Sequence, residues 1–166
     1  MTRHISYKIQ IDASPQHVWN ILADFGGVYK YSPGVTNSHL LSEHGEGVGA
    51  DRICHLAPTG QIQERILSWN EGRDYSLEIY TGKGAPPFKK AVATLRVDLK
   101  NGGTEVTADF DYDIKYGPIG SLLNAIMFGP FLQKGFQGLL SGLKHYAETG
   151  EEVNSAKGLS FVAVPA

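Results

Sequence analysis

The sequence is short of several things, and each shortage removes a class of function. It has one cysteine, Cys54, so no intrachain disulfide can form and a reducing compartment is compatible with it. It has no run of apolar residues long enough to span a bilayer, and its first ten residues, MTRHISYKIQ, hold no apolar segment of the kind a signal peptide needs. We expect a cytoplasmic protein without integral membrane association. It has no excess of either charge: 15 Lys+Arg stand against 17 Asp+Glu, a formal net charge of −2, and no long basic run occurs, which argues against nucleic acid as a partner. The six histidines show no HExxH or other ligand spacing, and Cys54 has no second cysteine to join it, so no metal site and no cofactor are expected. GEGVG at residues 45–49 lacks the Gly-Lys-Ser/Thr ending of a phosphate loop and reads as a turn between strands.

What is present is hydrophobic periodicity. At 166 residues the chain is most simply one domain with a substantial core. Ile5, Tyr7, Ile9 and Ile11 alternate with polar residues, the pattern of a strand with one buried face. Ser14-Pro15 supplies a helix cap and a proline at the first helical position, and Val18, Ile21, Leu22 and Phe25 follow at helical spacing. Gly26-Gly27 ends that helix. A strand is expected near residues 35–43, then hairpins over roughly 50–57, 60–70, 73–81, 89–100 and 103–114, separated by Gly- or Pro-rich breaks. The segment 118–147 has the apolar positions of a long amphipathic helix: Leu122, Ile126, Phe136, Leu139, Leu140 and Leu143. Pro130 interrupts it and should kink or split it, since an interior proline costs about 3 kcal/mol. Residues 151–166 show no period and read as a mobile tail.

The strand QIQERILSWN poses a question of its own, because Glu64 shares a face with Ile62 and Ile66. If Ala57-Pro58-Thr59 form a three-residue hairpin loop, Cys54 faces Ile62 and Arg52 faces Glu64. Arg52 then holds the carboxylate ionised. Two readings stay open: a satisfied ion pair that only lines the sheet, or the polar anchor of an otherwise apolar cavity. Tyr75, Leu77 and Ile79, then Ala91, Ala93, Leu95 and Val97, then Val106, Ala108, Phe110 and Tyr112 point toward the helix. Ala91, Ala93 and Ala108 are small for a filled core, so either a cavity lies there or aromatic neighbours fill the gap. Cys54 reads as a small hydrophobe, Asp109, Asp111 and Asp113 as a solvated stripe, and Trp19 and Trp69 as packing residues. The loop TGKGAPPFKK, residues 81–90, is a cationic flap that can frame a cavity mouth. Its Lys83, Lys89 and Lys90 serve either solubility or the steering of an anionic ligand or headgroup.

The stretches IDASPQHVWNILADF, GVGADR, GQIQERI, KYGPIGSLLNAI and GLKHYAETGE, in that order over about residues 3–150, resemble the polyketide cyclase/dehydratase branch of the START-like, Bet v 1-like (SRPBCC) superfamily. The resemblance implies an α+β helix-grip fold, a seven-stranded curved antiparallel sheet wrapped around a long C-terminal helix, with two short helices near the N-terminus. It implies a single ligand-binding domain over residues 1–150, followed by a tail at 151–166. The pairing GVGADR…ER also resembles, more distantly, the plant abscisic acid receptors. The receptors' pocket lysine has no counterpart between Gly34 and Ser42, and GKGAPPFKK stands where their His-containing gate loop would be.

The function expected is binding of a hydrophobic or aromatic small molecule, lipid or polyketide, between sheet and helix. Arg52 and Glu64 form the polar end, and Tyr75, Leu77, Ile79, Ala91, Ala93, Phe110, Tyr112, Met127 and Phe131 the lining. The alternative is an enzyme, a polyketide aromatase/cyclase or dehydratase, in which Glu64 or Tyr112 moves protons on a confined poly-ketone. A homodimer is left open.

Overall fold

A computed structural model describes residues 2–166. β1 (Arg3–Ile11) leads into α1 (Pro15–Ala23) and a 3-10 helix (Phe25–Lys30). Six strands follow: β2 (Val35–Leu40), β3 (Asp51–Leu56), β4 (Gln61–Asn70), β5 (Asp74–Lys83), β6 (Phe88–Lys100) and β7 (Gly103–Ile114). A helical segment then runs from α2 (Gly117–Leu123) through a π-helical turn (Asn124–Phe128) into α3 (Gly129–Thr149), and the chain ends in β8 (Val164–Pro165). All pairings are antiparallel, in the order β2-β3-β4-β5-β6-β7-β1-β8.

Local chemistry explains the elements. The Ser14 side chain accepts a hydrogen bond from the His17 backbone N–H, capping α1, and Pro15 opens the helix where no donor is missed. Asn101 and Gly102, at φ 53° and 77°, form the tight β6–β7 turn whose twist matches the strands it joins. Alternation then buries Val106, Ala108, Phe110 and Tyr112 on the face that receives α3. Leu140 and Leu143 of α3 are fully buried there, and the Phe136 and Phe110 rings meet at 4.9 Å between centroids. Gly142 permits the closest approach, because a Cβ on it would stand 1.9 Å from the Tyr31 carbonyl oxygen.

One end of the core is closed by aromatic rings. Trp19 and Trp69 meet edge-on at 5.0 Å, Trp69 stacks on Tyr75 at 5.6 Å, and Phe25 packs against Tyr75. Glu71, in the β4–β5 turn, takes both indole N–H groups: Trp19 Nε1 donates to Oε1 at 2.8 Å and Trp69 Nε1 to Oε2 at 2.7 Å.

Three expectations need correction. The sheet has eight strands, not seven, because the C-terminal segment is ordered: Val153 is buried and donates its N–H to the Lys30 carbonyl, and Val164–Pro165 pairs with Tyr7 and Lys8 of β1. That segment has no period because it uses apolar residues singly, against a surface already formed. Pro130 does not split the helix. The regular α-helix is instead interrupted directly before it, by a π-helical turn in which the Gly129 N–H bonds back to the Asn124 carbonyl. Leu122 and Ile126 do not meet the sheet; they are exposed, while the α3 residues beyond them are buried as expected.

Candidate functional site

The β3–β4 hairpin has the anticipated register: Cys54 stands opposite Ile62 and Arg52 opposite Glu64, and the Leu56 N–H bonds to the Gly60 carbonyl across the loop. Arg52 Nε donates to Glu64 Oε2 at 2.6 Å, with the two side chains 5% and 9% exposed. Arg52 Nη1 donates to the Phe25 carbonyl at 2.6 Å, and the guanidinium lies 3.9 Å from the centre of the Phe25 ring. The Cys54 thiol, 3.4 Å from the same Glu64 oxygen, completes the cluster. Among the described residues, Arg52 Nη2 and Glu64 Oε1 have no protein partner.

One residue out along each strand the side chains change face. Asp51 and Arg65 pair on the outer surface, joined by the Tyr80 hydroxyl, which donates to the Asp51 carboxylate at 2.9 Å. Gln63 pairs with Thr81 but Glu64 with Ile79, so Tyr80 is the extra residue of a β-bulge beside Glu64. The bulge sends Tyr80 outward and leaves Ile79 facing the same space as Glu64.

That space is a cavity of about 420 Å³, within the size range of small-molecule sites. Its sheet wall is Arg52, Cys54, Ile62, Glu64, Ile79 and Phe110. The helix side is Phe131, Leu132, Lys134, Phe136 and Leu139 of α3, and Val28 with Ser32–Val35 closes one flank. Ala85, Pro86 and Phe88 of the flap and Phe161 of the C-terminal segment complete it. The wall is almost wholly apolar, and its buried charges are those of Arg52 and Glu64.

The electrostatics follow from burial. Loss of water works against the Arg52 charge, but the Glu64 carboxylate, reinforced by Cys54, Tyr75 and Tyr31, outweighs it and holds the guanidinium charged well above its ordinary range. Burial, with Glu64 adding to it, pushes the Cys54 thiol far up, so it is no nucleophile. Burial also raises the Tyr31 hydroxyl well above its usual value and the Tyr75 hydroxyl to about 12.

Of the residues expected at the site, Arg52, Glu64, Ile79, Phe110 and Phe131 line the cavity, and Tyr75, Leu77, Ala91, Ala93, Tyr112 and Met127 do not. Tyr75 is taken up by the tryptophan cluster. Ala91 pairs with Tyr112 and Ala93 with Phe110, and Phe88, Phe110, Tyr112 and Phe136 fill the volume those alanines leave. Leu77, opposite Ala93 and Ile66, is buried in the same packing. Tyr112 stacks on Phe110 at 5.1 Å, off the wall, and is not brought to Glu64. Met127 lies on the outer face of the helix, 52% exposed.

The sequence reading missed much of the lining. Cys54, Leu56 and Ile62 follow from the alternation that placed Arg52 and Glu64, carried along the same two strands. Ser32, Lys134 and Phe161 carried no periodic signal. The flap lysines Lys83, Lys89 and Lys90 are exposed and off the wall, and the flap contributes its apolar residues instead. Among the described residues no group of three His, Cys, Asp or Glu side chains is placed to hold a metal. No helix there is long and apolar enough to cross a membrane.

A family model described as polyketide cyclase/dehydrase and lipid transport matches residues 2–148. No curated protein sequence matches the chain. Many solved structures resemble it, among them the following three. The ZhuI aromatase/cyclase from Streptomyces sp. R1128 has a TM-score of 0.75 at 16% identity, with 89% of this chain and 94% of that one covered. A protein from Thermus thermophilus gives 0.73 at 18%, covering 87% and 97%. Ara h 8.0201 gives 0.71 at 16%, covering 89% and 98%. At these identities the likeness establishes the fold, a curved sheet gripping a long C-terminal helix.

Proposed function

From the premise that the chain belongs to the polyketide cyclase/dehydrase and lipid transport family, we propose that it binds a largely apolar, ring-sized small molecule in the cavity, with a hydroxyl or carbonyl of the ligand seated on Arg52 and Glu64. One observation carries the reading. The cavity wall is apolar except for a buried ion pair, and that pair leaves one donor, Arg52 Nη2, and one acceptor, Glu64 Oε1, without protein partners. A polar atom on an otherwise apolar ligand gains a charge-assisted hydrogen bond there, in surroundings that exclude water. The apolar walls supply affinity, and the pair supplies orientation.

Catalysis by cyclisation or dehydration is the second reading, and it rests on the same Glu64 oxygen, a carboxylate facing a largely apolar cavity in which a flexible chain could be folded. No second group is paired with Glu64 for passing a proton on: Tyr112 is off the wall, the Cys54 thiol is held protonated, and the wall's lysine, Lys134, is exposed on α3. Binding is therefore the function the geometry supports better.

Native mass spectrometry of the purified protein tests it. A mass increment of a few hundred daltons, about what a ligand filling this cavity weighs, should accompany the folded wild type and disappear on denaturation. A protein that carries no increment and takes up no member of a panel of hydroxylated polycyclic aromatics and fatty acids contradicts the proposal. If Glu64→Gln keeps binding and abolishes turnover of a poly-ketone, the enzyme reading replaces it.

A further inference from the structure

The α2 segment and the π-helical turn are built inside out. Ile119, Leu122, Ile126, Met127 and Phe131 are between 52% and 71% exposed, at the spacing of one helical face. The face turned to the protein has Gly120, Asn124 and Gly129 instead. Gly120 is required, because a Cβ there would stand 1.9 Å from the Lys115 carbonyl oxygen. An amphipathic helix with small and polar residues inward and large aliphatic residues outward has its apolar partner outside the chain.

The charges around this face are predominantly positive, with Asp113, opposite Lys90 on the neighbouring strand, as a carboxylate at its edge. Residues 114–147 contain no Asp or Glu, and neither do residues 79–97, which include the flap. Lys115 and Lys134 flank the helical stripe in sequence, and Lys83, Lys89 and Lys90 stand on the flap. The flap and the helix start are one surface, since the Lys115 N–H bonds to the Pro87 carbonyl at 2.9 Å and Phe88 pairs with Ile114. Phe131 and Lys134 belong both to this surface and to the cavity wall, so the cavity borders the patch.

We infer that this face docks on an anionic lipid bilayer, the apolar stripe entering the headgroup region, the lysines meeting lipid phosphates and carboxylates, and the cavity edge turned to the membrane. The chemistry selects this occupant. Lysines around an aliphatic stripe are the pattern of an interfacial helix attracted by anionic lipid. A second copy of the chain placed face to face would set lysine against lysine, and Asp113, which already faces Lys90 within its own chain, does not offset five of them. The docking needs no bound ligand, so it stands or falls separately from the cavity reading.

Co-sedimentation of the ligand-free protein with vesicles of phosphatidylcholine, and of phosphatidylcholine with phosphatidylserine, tests it. The wild type should bind the phosphatidylserine vesicles at least ~tenfold more strongly, an advantage that falls as salt is added. Leu122→Asp and Ile126→Asp should each weaken that binding by ~tenfold or more while keeping the wild-type circular dichroism. Leu99→Asp, which replaces an exposed leucine at the far end of β6, should bind as the wild type does. Failure of the wild type to bind phosphatidylserine vesicles overturns the proposal, and so does undiminished binding by both helix variants. A concentration-dependent dimer in sedimentation velocity, dissolved by Ile126→Asp in a protein that ignores vesicles, assigns the face to a second copy and equally overturns it.

Discussion

Arg52 donates from Nε to Glu64 Oε2 at 2.6 Å across the β3–β4 hairpin, and neither side chain is more than 9% exposed. Removing one partner of such a pair strands the other. Glu64→Ala should therefore destabilise the fold by about 3–5 kcal/mol. The double substitution Arg52→Met/Glu64→Leu should cost far less, because no buried charge remains without compensation. Urea denaturation of the two singles and the double gives the cycle, and equal costs for Glu64→Ala and the double variant would refute the strong coupling.

Glu71 is the common acceptor of two indole N–H groups, one of them on the fully buried Trp19. Glu71→Leu leaves that donor without a partner and should cost about 1–3 kcal/mol. Tryptophan fluorescence should shift with it, since both rings lose their polar contact. An unchanged midpoint in urea would mean that water replaces the carboxylate freely.

Alkaline stability follows from the buried tyrosine. Tyr75 is raised by burial from its ordinary value of 10.0 to about 12, so the folded state keeps a proton the unfolded state releases. The sign is set by that difference: its contribution is complete below about pH 10 and is lost as pH rises toward 12, with a slope of about 1.4 kcal/mol per pH unit. Tyr75→Phe removes this component and should flatten the fall of unfolding free energy between about pH 10 and 12. Identical pH slopes for the variant and the wild type would contradict it.

How much of this was legible in the sequence depended on period. Ile5 to Ile11, the hairpin strands and the capping Ser14-Pro15 announced themselves, because strands and helix starts repeat or cap in recognisable ways. The Arg52–Glu64 pairing was also readable, since a loop of known length determines which residues face each other. Ala91 and Ala93 misled, as small residues that make room for aromatic neighbours look the same in sequence as small residues that line a void. Leu122, Ile126 and Met127 look inward-facing in sequence and are exposed, because periodicity shows that a face is apolar, not what it meets. Val153 and Phe161, single contacts made by an aperiodic segment, had no signal to read.

The C-terminal segment should matter to binding as well as to folding. Phe161 lines the cavity, and Val162 donates its N–H to Ser141 Oγ of α3 at 3.1 Å. Truncation after Lys157 removes that wall and the β8 pairing, and should weaken ligand retention by about tenfold, equal to about 1.4 kcal/mol, chiefly through faster dissociation. Stopped-flow release of a bound fluorescent fatty acid or polycyclic probe reads it, and an unchanged off-rate would show the segment to be mere cover.

Whether the buried pair orients a ligand is decided by one titration. Arg52→Met/Glu64→Leu and the wild type are titrated calorimetrically with a hydroxylated polycyclic aromatic and with the same ring system lacking the hydroxyl. The folded double variant should lose the hydroxylated ligand by about tenfold or more, about 1.4 kcal/mol, while binding the unsubstituted ring system at least as well as the wild type does. Equal loss of both, or no loss of either, would show that Arg52 and Glu64 only hold each other.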